Sequence, residues 1–270
     1  MKSGIFLGCF PKDLAIEECF TLAQEAGFDG VEVRVDEALL ENPARVREIR
    51  ALAERGLPIH AVMAAAGWRP SITANDPDER GRAIHLLRET IHVAAELGAS
   101  AVLVVPGAVT EQVRYDDAWD RAKAALESLA PSGDAVGVTL CVENVWNKFL
   151  LSPLEMRRFV DEIDHPRVKV YFDVGNVLVT GYPEQWIEIL GERIERVHVK
   201  DFRTQVGNIT GFVQLLEGDV NWPAVVAALR HVGYDGYLTA EVAPYRHLAS
   251  KGIVDLASSI KAIAELTDTP

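Results

Sequence analysis

Short apolar runs rich in valine and isoleucine recur along the chain, each followed by a polar turn and a longer stretch whose apolar residues return every three to four positions. Eight runs of this kind occupy residues 5–10, 30–35, 58–63, 101–106, 139–144, 168–173, 194–201 and 237–242. The amphipathic stretches that alternate with them cover 15–26, 44–54, 78–97, 116–129, 153–163, 183–190, 223–231 and 253–266. The runs have the length of strands and the stretches that of helices. Pro153, Pro183 and Pro223 stand where a first-turn proline forfeits no hydrogen bond, so each marks a helix start. Gly27, Gly56, Gly98 and Gly233 follow helical stretches and precede strands, as expected where the chain leaves a helix through positive φ.

Strict strand–helix alternation predicts an α/β protein with a parallel sheet. Spread over 270 residues, eight units average roughly 34 residues each, the size of the repeat in a (β/α)8 TIM barrel. No Ser/Gly-rich linker divides the chain, which reads as one barrel domain over 1–270. A doubly wound open sheet also alternates strand and helix. Its usual glycine fingerprint and the P-loop motif are both missing after every run, which leaves a nucleotide reading without local support.

Composition narrows the partners. Hydrophobic residues make up 49% of the chain, enough for a large core, and 27 basic against 40 acidic residues give a net charge of −13. Nucleic acid and anionic membrane, which attract clustered Lys and Arg, are therefore not expected partners. A phosphorylated small molecule is not excluded by this balance, because a local basic pocket can sit in an acidic protein; assembly into a homo-oligomer is left open. Cys9, Cys19 and Cys141 are odd in number and widely spaced, which fits a reducing cytoplasm rather than a disulfide framework. The N-terminal apolar stretch meets Pro11, Lys12 and Asp13 too early for a signal peptide or a membrane span.

In a barrel, chemistry sits where strands end. The fifth run ends on Glu143-Asn144, the sixth on Asp173, the seventh contains His198 before Lys200-Asp201, and the eighth carries Glu241. A charged group at the end of an apolar strand is costly to bury unless it is paired or coordinated. Three carboxylates from neighbouring strand ends would repel one another, so Glu143, Asp173 and Glu241 call for a divalent metal, with His198 as the nitrogen ligand. Taken singly, each residue would more ordinarily cap a loop or hydrogen-bond in place. Their coincidence on successive strand ends is what points to a metal.

The stretches Glu143-Asn144-Val145-Trp146-Asn147, Tyr171-Phe172-Asp173-Val174-Gly175-Asn176 and Arg196-Val197-His198-Val199-Lys200-Asp201 resemble the sugar phosphate isomerase and epimerase branch of the xylose-isomerase-like TIM barrels. The resemblance runs over essentially the whole chain; its motifs are specific for the superfamily and weak for the substrate. It implies that Glu143, Asp173, His198 and Glu241 bind one divalent cation, commonly manganese and sometimes cobalt, zinc or magnesium. It further implies that Glu143 and Glu241 double as proton-transfer bases. Removing a hydrogen beside a sugar carbonyl leaves an enediolate, whose charge a chelated metal would stabilise. Return of the proton to the same carbon from the opposite face gives an epimerase; return to the neighbouring carbon gives an aldose–ketose isomerase. Epimerisation at C3 is the leading expectation.

The chain departs from the free-ketose 3-epimerases in two places. Leu150 stands where those enzymes hold the substrate with a glutamate, and Asn176 where they have a histidine. Both departures point away from free D-tagatose or D-psicose. Arg203 is an approximate counterpart of their later arginine, and Lys200 or Arg203 would receive a phosphate or carboxylate unless Lys200 pairs with Asp201. Asn176, Trp68 and Trp146 are further substrate-binding candidates, the tryptophans as walls against water or as simple packing. His60 and Glu32 would each reach a substrate hydroxyl or be satisfied in the core. His85, His92, His165, His231 and His247 lie on helices or outer turns and carry no assignment. The same metal and base pair would serve a keto-inositol dehydratase or a hydroxypyruvate isomerase, and the pocket would also suit a non-catalytic, metal-dependent sugar-binding protein. A repair endonuclease on this barrel needs more strand-end histidines and a basic face than the chain offers.

Overall fold

The computed structural model describes residues 1–64 and 66–266. Eight parallel strands close into a barrel: β1 (Lys2–Phe6), β2 (Gly30–Arg34), β3 (Ile59–Met63), β4 (Ala101–Val104), β5 (Thr139–Glu143), β6 (Val168–Asp173), β7 (Ile194–Val199) and β10 (Tyr237–Ala240). Closure is made by β1, which pairs with β2 on one side and β10 on the other. The outer ring comprises α1 (Ile16–Ala26), α2 (Glu37–Leu40), α3 (Pro43–Ala53), α4 (Pro77–Leu97), α5 (Tyr115–Val136), α6 (Pro153–Ile163), α7 (Val174–Val177), α8 (Pro183–Leu190), α9 (Trp222–His231) and α10 (Ala249–Ala264). Among the described residues, no helix is long and apolar enough to cross a membrane.

The helix signals act as their chemistry requires. Ser152 accepts a hydrogen bond from the Glu155 amide while Pro153 opens α6, and Gly27 and Gly98 end α1 and α4 in the left-handed region. Three features depart from the periodicity. First, β1 lies earlier than the apolar run, because polar Lys2 and Ser3 pair through their backbones with Tyr237 and Leu238, and residues 7–9 form a 3₁₀ turn. Second, α5 continues through Pro131, where the buried face of Leu126, Leu129, Ala130 and Gly133 outweighs the lost bond. Third, the link after β7 contains an antiparallel pair, β8 (Asp201–Phe202) and β9 (Phe212–Val213), where simple alternation predicts only a loop.

Side-chain alternation along the strands sorts residues into two layers. Ile5, Val33, Val102, Val142 and Phe172 belong to the large core that packs against the helices, whereas Ala61, Leu103, Cys141 and Tyr171 form a small cluster inside the barrel. The interior parity that begins at Cys141 leads to Glu143; that of Tyr171 leads to Asp173. By the same rule Arg196, His198 and Lys200 share a face, as do Glu32 and Arg34.

Candidate active site

The ends of β5, β6, β7 and β10 place Glu143, Asp173, His198 and Glu241 in one tier, with one potential ligand atom from each lying within 4.8 Å of all the others. Pairing of Asp173 with His198 across β6 and β7 sets the level. Asp173 and His198 are completely buried, Glu143 nearly so. The His198 Nδ1 lies 3.3 Å from a Glu241 oxygen, 3.5 Å from Glu143 and 3.9 Å from Asp173. His198 Nδ1 is buried without a hydrogen-bond partner, and the buried Asp173 Oδ2 and Glu241 Oε2 have the Lys200 ammonium beside them, at 2.9 and 2.5 Å. A buried imidazole nitrogen left unpaired is expensive, and where it converges with three carboxylates it forms a donor set that fits a divalent cation.

Several neighbours hold these ligands in place. The other imidazole nitrogen of His198, Nε2, lies 3.0 Å from Glu32 Oε1, and Tyr171 donates its hydroxyl to Glu32 Oε2. All three side chains are fully buried. A carboxylate accepting from Nε2 leaves Nδ1 as the metal-facing nitrogen, the arrangement by which metal-binding histidines are commonly oriented. Asn144 clamps Asp173 from both sides, accepting from its amide and donating to its carbonyl, each at 2.8 Å. Asp173 Oδ1 in turn accepts from the Asn176 amide, which turns Oδ2 toward His198 and the centre.

Burial and charge pull the ionisable groups apart. Burial pushes the Glu143 carboxyl up to about 7, with the Glu241 charge adding to the rise and the His198 contact opposing it. Asp173 is raised for the same primary reason, against the pull of Lys200. Glu241 is driven the other way, because Lys200 and His198 more than offset its burial. Burial would lower His198, yet the surrounding carboxylates, Glu32 first, hold it well above the ordinary histidine value.

Lys200 adopts an arrangement other than either expectation. Its ammonium lies 2.9 Å from Asp173 and 2.5 Å from Glu241, so it is tied to these two carboxylates and not to Asp201. Gly175 makes room for it: a Cβ there would come within 2.8 Å of the Lys200 carbonyl oxygen. Asp201 is instead fully buried and accepts from the amides of Phe202, Leu216 and Val220 and from the Trp222 indole. That hub anchors both ends of the β8–β9 excursion, whose Ile209 and Phe212 reach the site.

Above this tier opens a cavity of about 350 Å³, near the lower limit of ordinary small-molecule pockets. Glu143, Glu241 and Lys200 line its floor; Trp68, Trp146 and Asn176 line its walls. Trp146 donates its indole N–H to the Asn176 carbonyl at 2.9 Å and stacks on Phe212, and Asn176 Nδ2 donates to the Asn144 carbonyl. Two residues expected near a ligand lie elsewhere. Arg203 is exposed and donates to the Glu217 carbonyl, outside the cavity lining. His60 sits low in the barrel, stacked on Tyr237 and 3.3 Å from the Thr239 hydroxyl. The cause is a register shift between β2 and β3, where Val31 pairs with Ile59 but Glu32 with Ala61, leaving His60 as the extra residue of a bulge. Sequence reasoning did not single out Arg34 and Arg69, which also line the cavity. Parity with Glu32 is the signal that would have found Arg34.

Comparison with known proteins places this geometry. Residues 20–265 match the family described as xylose isomerase-like TIM barrel. The L-ribulose-5-phosphate 3-epimerase UlaE of Salmonella heidelberg is 27% identical over 286 aligned positions, which cover 95% of this chain and 100% of the relative. Among solved structures, a D-tagatose 3-epimerase-like protein superposes with a TM-score of 0.83 at 22% identity, covering 98% of this chain and 97% of that one. The 3-keto-D-glucoside 4-epimerase YcjR of E. coli does so with a TM-score of 0.79 at 20% identity, covering 97% and 98%. At such identities the structural matches speak for the fold.

Proposed function

This chain belongs to the xylose isomerase-like TIM barrel family, and from that premise we propose that it is a divalent-metal-dependent epimerase inverting C3 of a ketose or ketose phosphate. The observation that carries the reading is the floor of the cavity. There Glu143 and Glu241, at the ends of the non-adjacent strands β5 and β10, line the cavity as members of a four-residue donor set with Asp173 and His198, whose buried Nδ1 has no hydrogen-bond partner. Glu143, Asp173, His198 and Glu241 would hold the cation, with Mn2+ the first expectation and Co2+, Zn2+ or Mg2+ the alternatives. When bound, it supplies Lewis-acid stabilisation of the negative charge that develops on the ketose oxygens.

The chain's own residues do the rest. One glutamate takes the proton from C3, and the other, across the mouth, returns a proton to the opposite face, so that the configuration inverts. Lys200, in contact with Glu241, balances part of the acidic floor. Trp68 and Trp146 flank the opening and exclude water that would reprotonate the carbon at random. Three buried cysteines, Cys9, Cys19 and Cys141, all unpaired, agree with a cytoplasmic setting.

The test is solvent exchange. Incubated in heavy water with metal-replete protein, a ketose or its phosphate should acquire deuterium on C3 together with inversion. Label at C1 or C2 would mean an isomerase, loss of water a dehydratase, and no change in any candidate a binding protein. Protein purified without chelator should carry close to one equivalent of metal, most of it lost in Asp173→Ala or His198→Ala.

A further inference from the structure

The cavity contains two cations that the metal centre leaves free. Arg34 is the last residue of β2, two positions beyond Glu32 and therefore on the same interior face. Arg69 lies in the loop after β3, beside Trp68. Both line the cavity, and both are exposed. Among the described residues neither guanidinium has an ion-pair or hydrogen-bond partner, whereas the third cation of the cavity lining, Lys200, is paired with Asp173 and Glu241.

On the opposite side of the mouth, the cations that follow the seventh strand are already engaged. TIM barrels often bind phosphate after their seventh strand. Here Lys200 is bound to Asp173 and Glu241, Arg203 donates to the Glu217 carbonyl, and the Asp219 carboxylate is engaged with Thr204 nearby. An anion would meet there cations already engaged and carboxylates beside them. The cavity thus has an acidic floor and a basic rim on the β2–β3 side.

We propose that Arg34 and Arg69 form the subsite for the terminal phosphate of a ketose phosphate, which, resting on the epimerase reading above, makes the phosphate ester and not the free sugar the substrate. A phosphate monoester carries about −1.5 to −2 charges at neutral pH and three strong acceptor oxygens. Two guanidiniums match it in charge and in forked donor geometry. The polarity of the cavity also fixes orientation. Carboxylates on the floor repel the phosphate, so the ester points to the rim and the carbonyl end enters toward Glu143 and Glu241.

Calorimetric titration of the metal-loaded protein with the D- and L-ribulose 5-phosphates and with the two free ribuloses tests this without reference to turnover. The subsite predicts tighter binding of an ester than of its parent sugar. It also predicts about tenfold weaker binding of the ester in Arg34→Met and in Arg69→Met, with affinity for the free sugar unchanged. Because both side chains extend into solvent without partners, the variants should melt with the parent protein, which separates lost binding from misfolding. Ester binding undiminished in the double variant would overturn the proposal, as would equal affinity for ester and sugar. Arginine-dependent binding of an ester that never takes up deuterium would keep the subsite and remove the epimerase. Deuterium entering free ribulose as fast as its ester, whatever stands at 34 and 69, would do the reverse.

Discussion

His60 and His198 are both buried imidazoles inside one barrel, yet their surroundings drive them in opposite directions. Around His60 the neighbours are Tyr237, the Thr239 hydroxyl and the Arg196 guanidinium, which donates to the His60 carbonyl. Burial, reinforced by the Arg196 and His198 charges, pushes its pKa well below the ordinary value and keeps the ring neutral. One tier higher, His198 is surrounded by Glu32, Glu143, Asp173 and Glu241 and is pushed upward. The lower tier is a polar plug made from neutral and cationic groups. In the upper tier carboxylates crowd around one imidazole, with the Lys200 ammonium against two of them. Position along the strand, more than residue type, separates the plug from the site.

The strongest way to break this contrast is to remove a base from the upper tier. Glu143→Gln and Glu241→Gln should each lower deuterium exchange at C3 by about 10²-fold or more, the usual contribution of a positioned base, while His60→Gln leaves the exchange rate unchanged. An active Glu241→Gln variant or an inactive His60→Gln variant would invert the roles assigned to the two tiers.

Glu32 tests how the upper tier is held from below. Glu32→Gln preserves shape but weakens the acceptor for His198 Nε2, and metal affinity measured by competition with a chromophoric chelator should fall about 10- to 100-fold. Unchanged affinity would show that Glu32 only fills space.

Acidity sharpens the same comparison. The metal-free Glu143 carboxyl sits at about 7 through burial, so below that pH it holds a proton that a cation must displace, and above it does not. His198, held well above its ordinary value by the surrounding carboxylates, gives up a proton on binding as well. Apparent metal affinity should therefore rise from about pH 6 to pH 8, with proton release visible as a buffer-dependent heat of binding. A flat profile would contradict these assignments.

The smallest effect belongs to the plug. His60→Gln should cost about 1 kcal/mol of stability, the net worth of a hydrogen bond and its packing, detectable in a denaturant titration. A loss far beyond that would make the plug a keystone of barrel closure.

Most of the barrel was legible because valine-rich runs and amphipathic stretches follow different periods, and because proline and glycine mark the helix ends. Glu143, Asp173, His198 and Glu241 stood out as charges ending apolar strands. What stayed hidden depends on relations that hydropathy does not encode. The β8–β9 pair has two residues per strand, too few for any period. The shift that demotes His60 is a matter of register between β2 and β3. Glu32 reaches His198 across the barrel interior, 166 residues away in sequence. Lys200 was legible as an inward cation but not as the partner of Asp173 and Glu241, since that choice depends on Gly175 opening a space.

The Asp201 hub bears on how such a protein diversifies. The excursion from Arg203 to Leu215 leaves and rejoins the barrel at a single buried carboxylate, and Gly218 must lack a side chain because a Cβ there would lie 2.1 Å from Asp201 Oδ1. Between those fixed points the exposed residues, Ile209 among them, can be rewritten without disturbing the tier beneath. The shape of this wall of the cavity is thereby separable from the four-residue tier below it, so that one can be remodelled while the other is kept.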